Sequence, residues 1–417
     1  MNARDFALIA LDRKQLPGWK TNLRERRQPP PGDLRDRALA EQIVNGVVKN
    51  ALLLQGYIEH FSSRRLASID PLIAKILAIA LYQMKFLDRV PQSAAVDEAV
   101  TQTRRFRRAS AAGFVNAVLR NVGRQEWPAE PDERLDPAGY ARRVLSHPLE
   151  LFGRLAELLG TERAIAFCRH DNAEPPTVVR LGKGVGAEKL AAGVEVVPHV
   201  AAGLFVVRGG KQEIFREWAE RGIAQVQDAT AADVVKYLAI SPGMRVLDRC
   251  AGLGTKTLQI WEEAGLDGDV VAMDASAFRC AQLRELLKLR GIENVNVIEG
   301  AKMKKGEAFD RILIDVPCSN SGVLARRPEA RYRGGVDCLV KVQREILEDT
   351  TGSLAPGGIF VYSTCSVWPE ENERQVADFL ARNPGIELVE EKMTWPSFET
   401  TEETEYRDGG YWAVLRS

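Results

Sequence analysis

Cys318 and Cys365 stand out by their settings: Asp315-Val-Pro-Cys318 follows one short apolar run, and Ser363-Thr-Cys365-Ser366 follows the next. A lone cysteine in an apolar stretch is usually a small core residue. Two of them at the ends of consecutive strands bring both thiols to one pocket, with the Asp315 carboxyl beside them. A thiolate so placed is a nucleophile for an otherwise inert carbon. C5 of cytosine is such a case, because sulfur addition at C6 makes the ring enamine-like and lets C5 attack the methyl group of a sulfonium. Asp315 is placed to hydrogen-bond the base edge as charge builds, and the second cysteine can help the protein leave.

These residues need strands to carry them. Arg245-Val-Leu-Asp, Val270-Val-Ala-Met-Asp, Val295-Asn-Val-Ile, Arg311-Ile-Leu-Ile-Asp and Ile359-Phe-Val-Tyr-Ser are apolar runs separated by helix-length segments, which predicts a parallel, doubly wound, Rossmann-like α/β sheet. The first run opens into Asp248-Arg-Cys250-Ala251-Gly252-Leu253-Gly254-Thr255-Lys256-Thr257, a glycine-containing turn into a helix that allows close backbone approach by a ligand. Thr257 stands where GxGxxG needs glycine, and the spacing is not GxxxxGK[ST], so dehydrogenase and P-loop readings both weaken. Asp274 ends the second run at the separation expected of a carboxylate for ribose hydroxyls, although a helix N-cap explains it equally well.

Upstream, Arg35 to Arg124 reads as an all-α bundle, with Ile73, Ile76, Leu77, Ala80, Leu81 and Met84 on one helix face. Pro30 and Pro31 set off the entry segment, Asp70-Pro71 starts the central helix, and Val90-Pro91 interrupts the chain before Ala94 to Phe106. Arg104, Arg105, Arg107 and Arg108 crowd the approach to the helix at Gly113 to Arg120. Residues 1–125 hold 21 Lys and Arg against 11 Asp and Glu, while the whole chain of 417 residues holds 57 of each. A basic module beside an acidic remainder suits a phosphate-rich partner, with an ordinary solvated surface as the alternative. Trp127-Pro128 to Pro137 reads as a linker. The expected domains are therefore 1–128, all-α; 138–230, a small α+β subdomain carrying Thr177-Val-Val-Arg-Leu and Gly203-Leu-Phe-Val-Val; and 231–417, the α/β domain. Six scattered cysteines without a CxxC pair predict neither disulfides nor bound metal, and the Leu72 to Leu87 run, cut by Lys75 and Lys85, predicts no membrane span. The expected setting is cytoplasmic.

Taken in order, these motifs resemble the Nop/Sun family of RNA cytosine-5 methyltransferases. Asp315-Val-Pro-Cys-Ser-Asn-Ser-Gly-Val-Leu-Ala-Arg-Arg-Pro-Glu-Ala-Arg-Tyr-Arg is similar to the family's DAPCSGTGVLRRHPDIRWR, and Tyr362-Ser-Thr-Cys-Ser with Pro369-Glu-Glu-Asn is similar to its YSTCS and PEEN. The resemblance implies a class I methyltransferase domain with Cys365 as nucleophile, Cys318 assisting product release and Asp315 on the target base. It implies S-adenosylmethionine as cofactor, held by Cys250, Ala251, Gly252, Leu253, Gly254, Thr255, Lys256, Asp274, Arg279 and Asp315. Asp36-Arg-Ala-Leu-Ala, Ala80 to Pro91 and Ala112 to Arg120 are similar to the NusB-like RNA-binding fold. The implied partner is RNA, specifically small-subunit (16S) ribosomal RNA, met by a monomeric protein. Two departures are visible: CAAPGGKT is here CAGLGTKT, and the family's Gly-Asp after the third strand is Gly300-Ala301. They keep open the alternative of an RNA-binding assembly factor with weak or lost catalysis. Antitermination, suggested by the first domain alone, is opposed by the catalytic motifs.

Overall fold

Pro71 starts the central N-terminal helix because its missing N–H costs nothing in the first turn, while the Asp70 carboxylate accepts from Leu72 N at 2.8 Å. A computed structural model describes residues 2–12, 16, 33–190, 193–210, 212–303 and 306–417. Pro30 and Pro31 lie outside the described residues. The chain divides into two compact units, Met1–Ala173 with Arg327–Arg333, and Glu174–Arg326 with Gly334–Ser417.

The first unit is helical, as expected: α1 Ala3–Asp12, α2 Leu34–Lys49, α3 Ala51–Ser62, α4 Pro71–Phe86, α5 Gln92–Arg105, α6 Ala112–Asn121, α7 Pro137–Arg143, α8 Leu149–Leu159 and α9 Thr161–Asn172. α4 is buried on every side from Leu72 to Gln83, so the apolar face read from the sequence is only part of its contact surface. Lys75 is carried inside with it, its Nζ donating to Asp12 Oδ1 at 2.7 Å. Breaking such a pair strands a buried charge. Asp12→Ala is therefore expected to lower stability by about 3–5 kcal/mol, read by chemical denaturation. Of the four arginines near α6, Arg105 pairs with Asp5 and Arg108 with Asp70, while Arg104 and Arg107 are exposed.

The division falls after Ala173 rather than within Trp127–Pro137. Trp127 packs edge-on against Tyr57 and Phe61, which pins the expected linker to the bundle. Helices α7 to α9 stay with it because Ser146 Oγ accepts from Leu52 N at 2.9 Å and Lys49 Nζ donates to Ala173 O at 2.8 Å. Residues 327–333 also belong to this unit: Arg331 donates to Asp171 O at 2.6 Å and to Asn172 Oδ1 at 2.7 Å, and Tyr332 OH donates to Val48 O at 3.0 Å.

The second unit opens with β1 Thr177–Leu181, β2 Glu195–Pro198, β3 Leu204–Arg208, α10 Gln212–Glu220 and β4 Ala224–Val226, whose strands pair antiparallel in the order β2-β3-β1-β4. There follow α11 Ala229–Lys236, β5 Arg245–Asp248, α12 Thr255–Ala264, β6 Asp269–Asp274, α13 Ala277–Leu289, β7 Val295–Glu299, β8 Phe309–Asp315, α14 Asp337–Thr351, β9 Leu354–Thr364, α15 Glu373–Arg382, β10 Glu387–Thr394 and β11 Gly410–Arg416. The seven strands lie in the order β10-β11-β9-β8-β5-β6-β7, with β9 to β7 parallel and β10 and β11 antiparallel. This is the expected Rossmann-like sheet, and each of the five apolar runs is one of its parallel strands. Among the described residues no helix is long and apolar enough to cross a membrane.

Candidate active site

The strand order reverses between β5 and β8, which pair side by side while the chain proceeds outward in opposite directions from them. In open α/β sheets the ligand crevice lies there, at the carboxyl ends of the strands. Asp248, Asp274, Asp315 and Thr364 end β5, β6, β8 and β9.

Beyond β8 and β9 the two cysteines meet. Their Sγ atoms stand 3.1 Å apart, too far for a disulfide bond of about 2.0 Å and close enough for an S–H hydrogen bond. Cys365 N donates to Cys318 Sγ at 3.3 Å, and Cys365 Sγ lies 3.4 Å from Asn320 Oδ1. The Cys318 pKa is pushed well above that of an ordinary thiol, first by the hydrogen bond to Cys365, then by burial and by the charges of Cys365 and Glu371. Cys318 is thus held as a thiol. The Cys365 turn is held by close backbone approach: Gly322 N donates to Cys365 O at 2.9 Å, Gly409 N donates to Gly322 O at 2.8 Å, and a Cβ on Gly322 would stand 2.5 Å from Gly409 O.

Asp315 accepts from Lys256 Nζ and from Ser363 Oγ, each at 2.7 Å. Burial opposes the Lys256 charge, but Asp315, by charge and hydrogen bond, and then Asp248 and Cys365 outweigh it and hold the Lys256 pKa above its usual value. Lys256, expected among the cofactor residues, therefore stands with its ammonium on the expected catalytic carboxylate.

Around the β5–α12 loop, Gly252 N donates to Asp274 Oδ2 at 2.9 Å and Ser276 N to Asp274 Oδ1 at 2.8 Å. Ser276, rather than Asp274, is the N-cap of α13, its hydroxyl accepting from Arg279 N. Arg279 approaches Asp274 at 3.7 Å and is largely exposed. The substitutions in CAGLGTKT fit locally: Leu253 is 56% exposed, Gly254 keeps the left-handed φ of +91°, and Thr255 is already helical. A Cβ on Gly254 would stand 2.3 Å from Leu283 Cδ1. Gly254→Ala is expected to weaken S-adenosylmethionine binding at least about tenfold by calorimetry, since the left-handed backbone alone disfavours a side chain by about 1–2 kcal/mol. Burial pushes the Asp248 carboxyl up to about 7 against the hydrogen bond from Thr257, and its Oδ1 has no hydrogen-bond partner. Burial likewise pushes the Cys250 thiol up to about 12. At the third strand, Arg249 donates to Ala301 O at 2.7 Å and pairs with Asp349 at 3.0 Å.

Two residues without an assigned role in the sequence reading enter the site. Asn320, in the left-handed region at φ +61°, occupies the place of a family glycine and brings its amide to Cys365. Glu371, from the Pro-Glu-Glu-Asn segment, is buried between the two cysteine turns, and the neighbouring Asn372 accepts from Thr364 Oγ1 at 2.6 Å. That segment was the available signal, since it closely follows Thr-Cys-Ser.

Residues 235–411 match the family model described as 16S rRNA methyltransferase RsmB/F, and residues 1–124 match the NusB family. The ribosomal RNA small subunit methyltransferase B of Vibrio cholerae is 32% identical over 396 residues, 91% of this chain and 89% of that protein. The chain belongs to the RsmB/F family of ribosomal RNA methyltransferases. Members of this family use S-adenosylmethionine and methylate ribosomal RNA. A solved structure of a methyltransferase homolog protein from Pyrococcus horikoshii covers 69% of this chain and 100% of its own, with a TM-score of 0.56 and 25% identity. The protein PH0851, whose name states no activity, shares the fold over 93% of this chain and 91% of its own, with a TM-score of 0.79 at 22% identity.

Proposed function

We propose that this RsmB/F-family enzyme methylates C5 of a cytosine in 16S ribosomal RNA, in the cytoplasm, through a covalent bond between Cys365 and C6 of the base. The observation that carries the reading is the pair of thiols 3.1 Å apart, near an Asp315 held by Lys256. S-adenosylmethionine supplies an electrophilic methyl group on a sulfonium. The loop from Cys250 to Lys256, with Asp274, Arg279 and Asp315, would hold it, and the unpartnered buried Asp248 Oδ1 is an acceptor in reserve at the same strand ends.

With its proton passed to solvent, Cys365 Sγ attacks C6, and the electron density displaced toward N3 and C4 is met by the Lys256 ammonium, which Asp315 holds in place while its carboxylate accepts from the amine at the base edge. Once C5 carries its methyl group, the C5 proton passes to solvent and its electron pair rebuilds the C5–C6 double bond as the C6–S bond breaks, the electron pair of that bond returning to Cys365. Cys318, which holds its proton, donates a hydrogen bond to the departing sulfur. Exposed Arg104, Arg107, Arg120 and Arg124 of the NusB-like unit supply cations for RNA phosphate.

The test is transfer of tritium from methyl-labelled S-adenosylmethionine to unmodified small-subunit RNA, with the product base identified after nuclease digestion. Labelled 5-methylcytidine is the expected product. Ala301, which lacks the family's carboxylate, favours a second reading, an RNA-binding assembly factor with weak catalysis. RNA binding without label transfer at saturating cofactor would favour it.

A further inference from the structure

The two thiols of the site differ in how they meet solvent. Cys365 is half-buried, whereas Cys318 is buried with its Sγ 3.1 Å from Cys365 Sγ. An oxidant arriving from solvent therefore meets Cys365 first, and the next sulfur within reach is Cys318. A reactive cysteine backed by a second thiol is the arrangement that converts oxidation into a disulfide rather than into damage.

The backbone is set for such a bridge. Asp315 on β8 is paired with Ser363 on β9, a few residues before the cysteines. Neighbouring strands run about 4.8 Å apart, within the roughly 4.4–6.8 Å between Cα atoms that a disulfide spans. Beyond the cysteines the two turns are tied again, by the buried Glu371. It accepts from Ser319 N and Gln343 Nε2, both at 2.9 Å, from Ser319 Oγ at 2.6 Å and from Ser366 Oγ. Held on both sides, the turns keep the sulfurs facing. Closing them to disulfide length asks for about 1 Å of approach, which rotation about the two Cα–Cβ bonds can supply.

We propose that the Cys365–Cys318 pair is an oxidation site for peroxides, in which Cys365 is oxidised, Cys318 resolves it, and the resulting disulfide reversibly halts methyl transfer. The halt rests on the two-cysteine reading above, while the oxidation rests on the geometry of the thiols. Cys365 Sγ takes one oxygen of the peroxide to become a sulfenic acid, the O–O bond breaks, and the thiol proton leaves with the other oxygen as water. Cys318 Sγ then attacks Cys365 Sγ, the S–S bond forms as the S–O bond breaks, and the hydroxyl leaves with the Cys318 proton as a second water. Each sulfur is oxidised by one electron overall, and the peroxide takes both. The disulfide leaves neither sulfur free to bond C6 of the base, and a reducing thiol reopens it by exchange.

The test treats the full-length protein with hydrogen peroxide, caps the remaining thiols with iodoacetamide, and reads peptide masses and methyl transfer to small-subunit RNA on the same samples. A linked Cys318–Cys365 peptide is expected to appear before the exposed Cys338 is oxidised. Methyl transfer is expected to fall in step with the linked fraction, at least about tenfold when linkage nears completion, and to return with dithiothreitol. Cys318→Ala, read by mass alone, is expected to carry Cys365 on to a sulfinic acid that dithiothreitol does not remove. Cys338→Ala is expected to link and lose transfer as the wild type does. Absence of the linked peptide at a dose that oxidises Cys338 overturns the oxidation site. A linked protein that keeps full methyl transfer overturns the reversible halt. Failure of the two-cysteine reading is separately visible as a wild-type enzyme that forms no 5-methylcytidine before any peroxide is added, and the linked peptide then still decides the oxidation site.

Discussion

Cys365→Ala is expected to lower methyl transfer by about 10⁴-fold or more while leaving fold and cofactor affinity unchanged, because it removes the only atom that bonds to the base. Cys318→Ala is expected to behave differently. Attack by Cys365 remains available, but the departing sulfur loses the S–H that stands 3.1 Å away. A protein–RNA adduct then accumulates, visible as a band that resists denaturation and disappears when Cys365 is also replaced. Cys338, exposed on α14, is the control whose alanine variant keeps wild-type turnover. Label transfer with gel analysis of all three variants separates the roles. Equal silence of Cys365→Ala and Cys318→Ala, without adduct in either, would argue against the division of labour.

The second large effect is expected at Asp315. Asp315→Asn keeps the shape but removes the charge that holds Lys256 Nζ at 2.7 Å and accepts from Ser363 Oγ. Lys256 is left without the carboxylate that aims its ammonium, the group that meets developing charge, at the base edge. Such preorganised contacts contribute most in the transition state, so kcat is expected to fall by about 10²- to 10³-fold. The KM for S-adenosylmethionine is expected to change far less. A loss confined to that KM would instead place Asp315 with the cofactor alone.

Much of the catalytic half was legible because parallel strands buried on both faces read as short apolar runs, and chemistry collects at their ends. Cys318, Cys365 and Asp315 follow from that pattern, and the structure brings them together. The Lys256–Asp315 pair was less visible, since the two residues lie far apart in the chain and meet only across the β5–β8 switch. Glu371 was obscured for the opposite reason: a run of glutamates reads as solvated surface, and only its four donors show it to be interior. Periodicity also under-read α4, because a helix buried all round carries no single apolar stripe. No local signal assigns residues 327–333 to the first unit, since Arg331 finds its acceptors 159 or more positions away in sequence. Strand β10, half of it charged and most of it exposed, lacks the alternation that marks a half-buried strand.

The most direct test of the covalent mechanism uses small-subunit RNA carrying 5-fluorocytosine, whose C5 has no proton to lose, so that elimination stops after methyl transfer. Incubation with S-adenosylmethionine, nuclease and protease digestion, and mass spectrometry then locate the trapped base on the protein. The expected result is one modified peptide, with methylated fluorocytosine attached at Cys365. Attachment at Cys318, or methylated RNA with no trapped peptide, would contradict the mechanism.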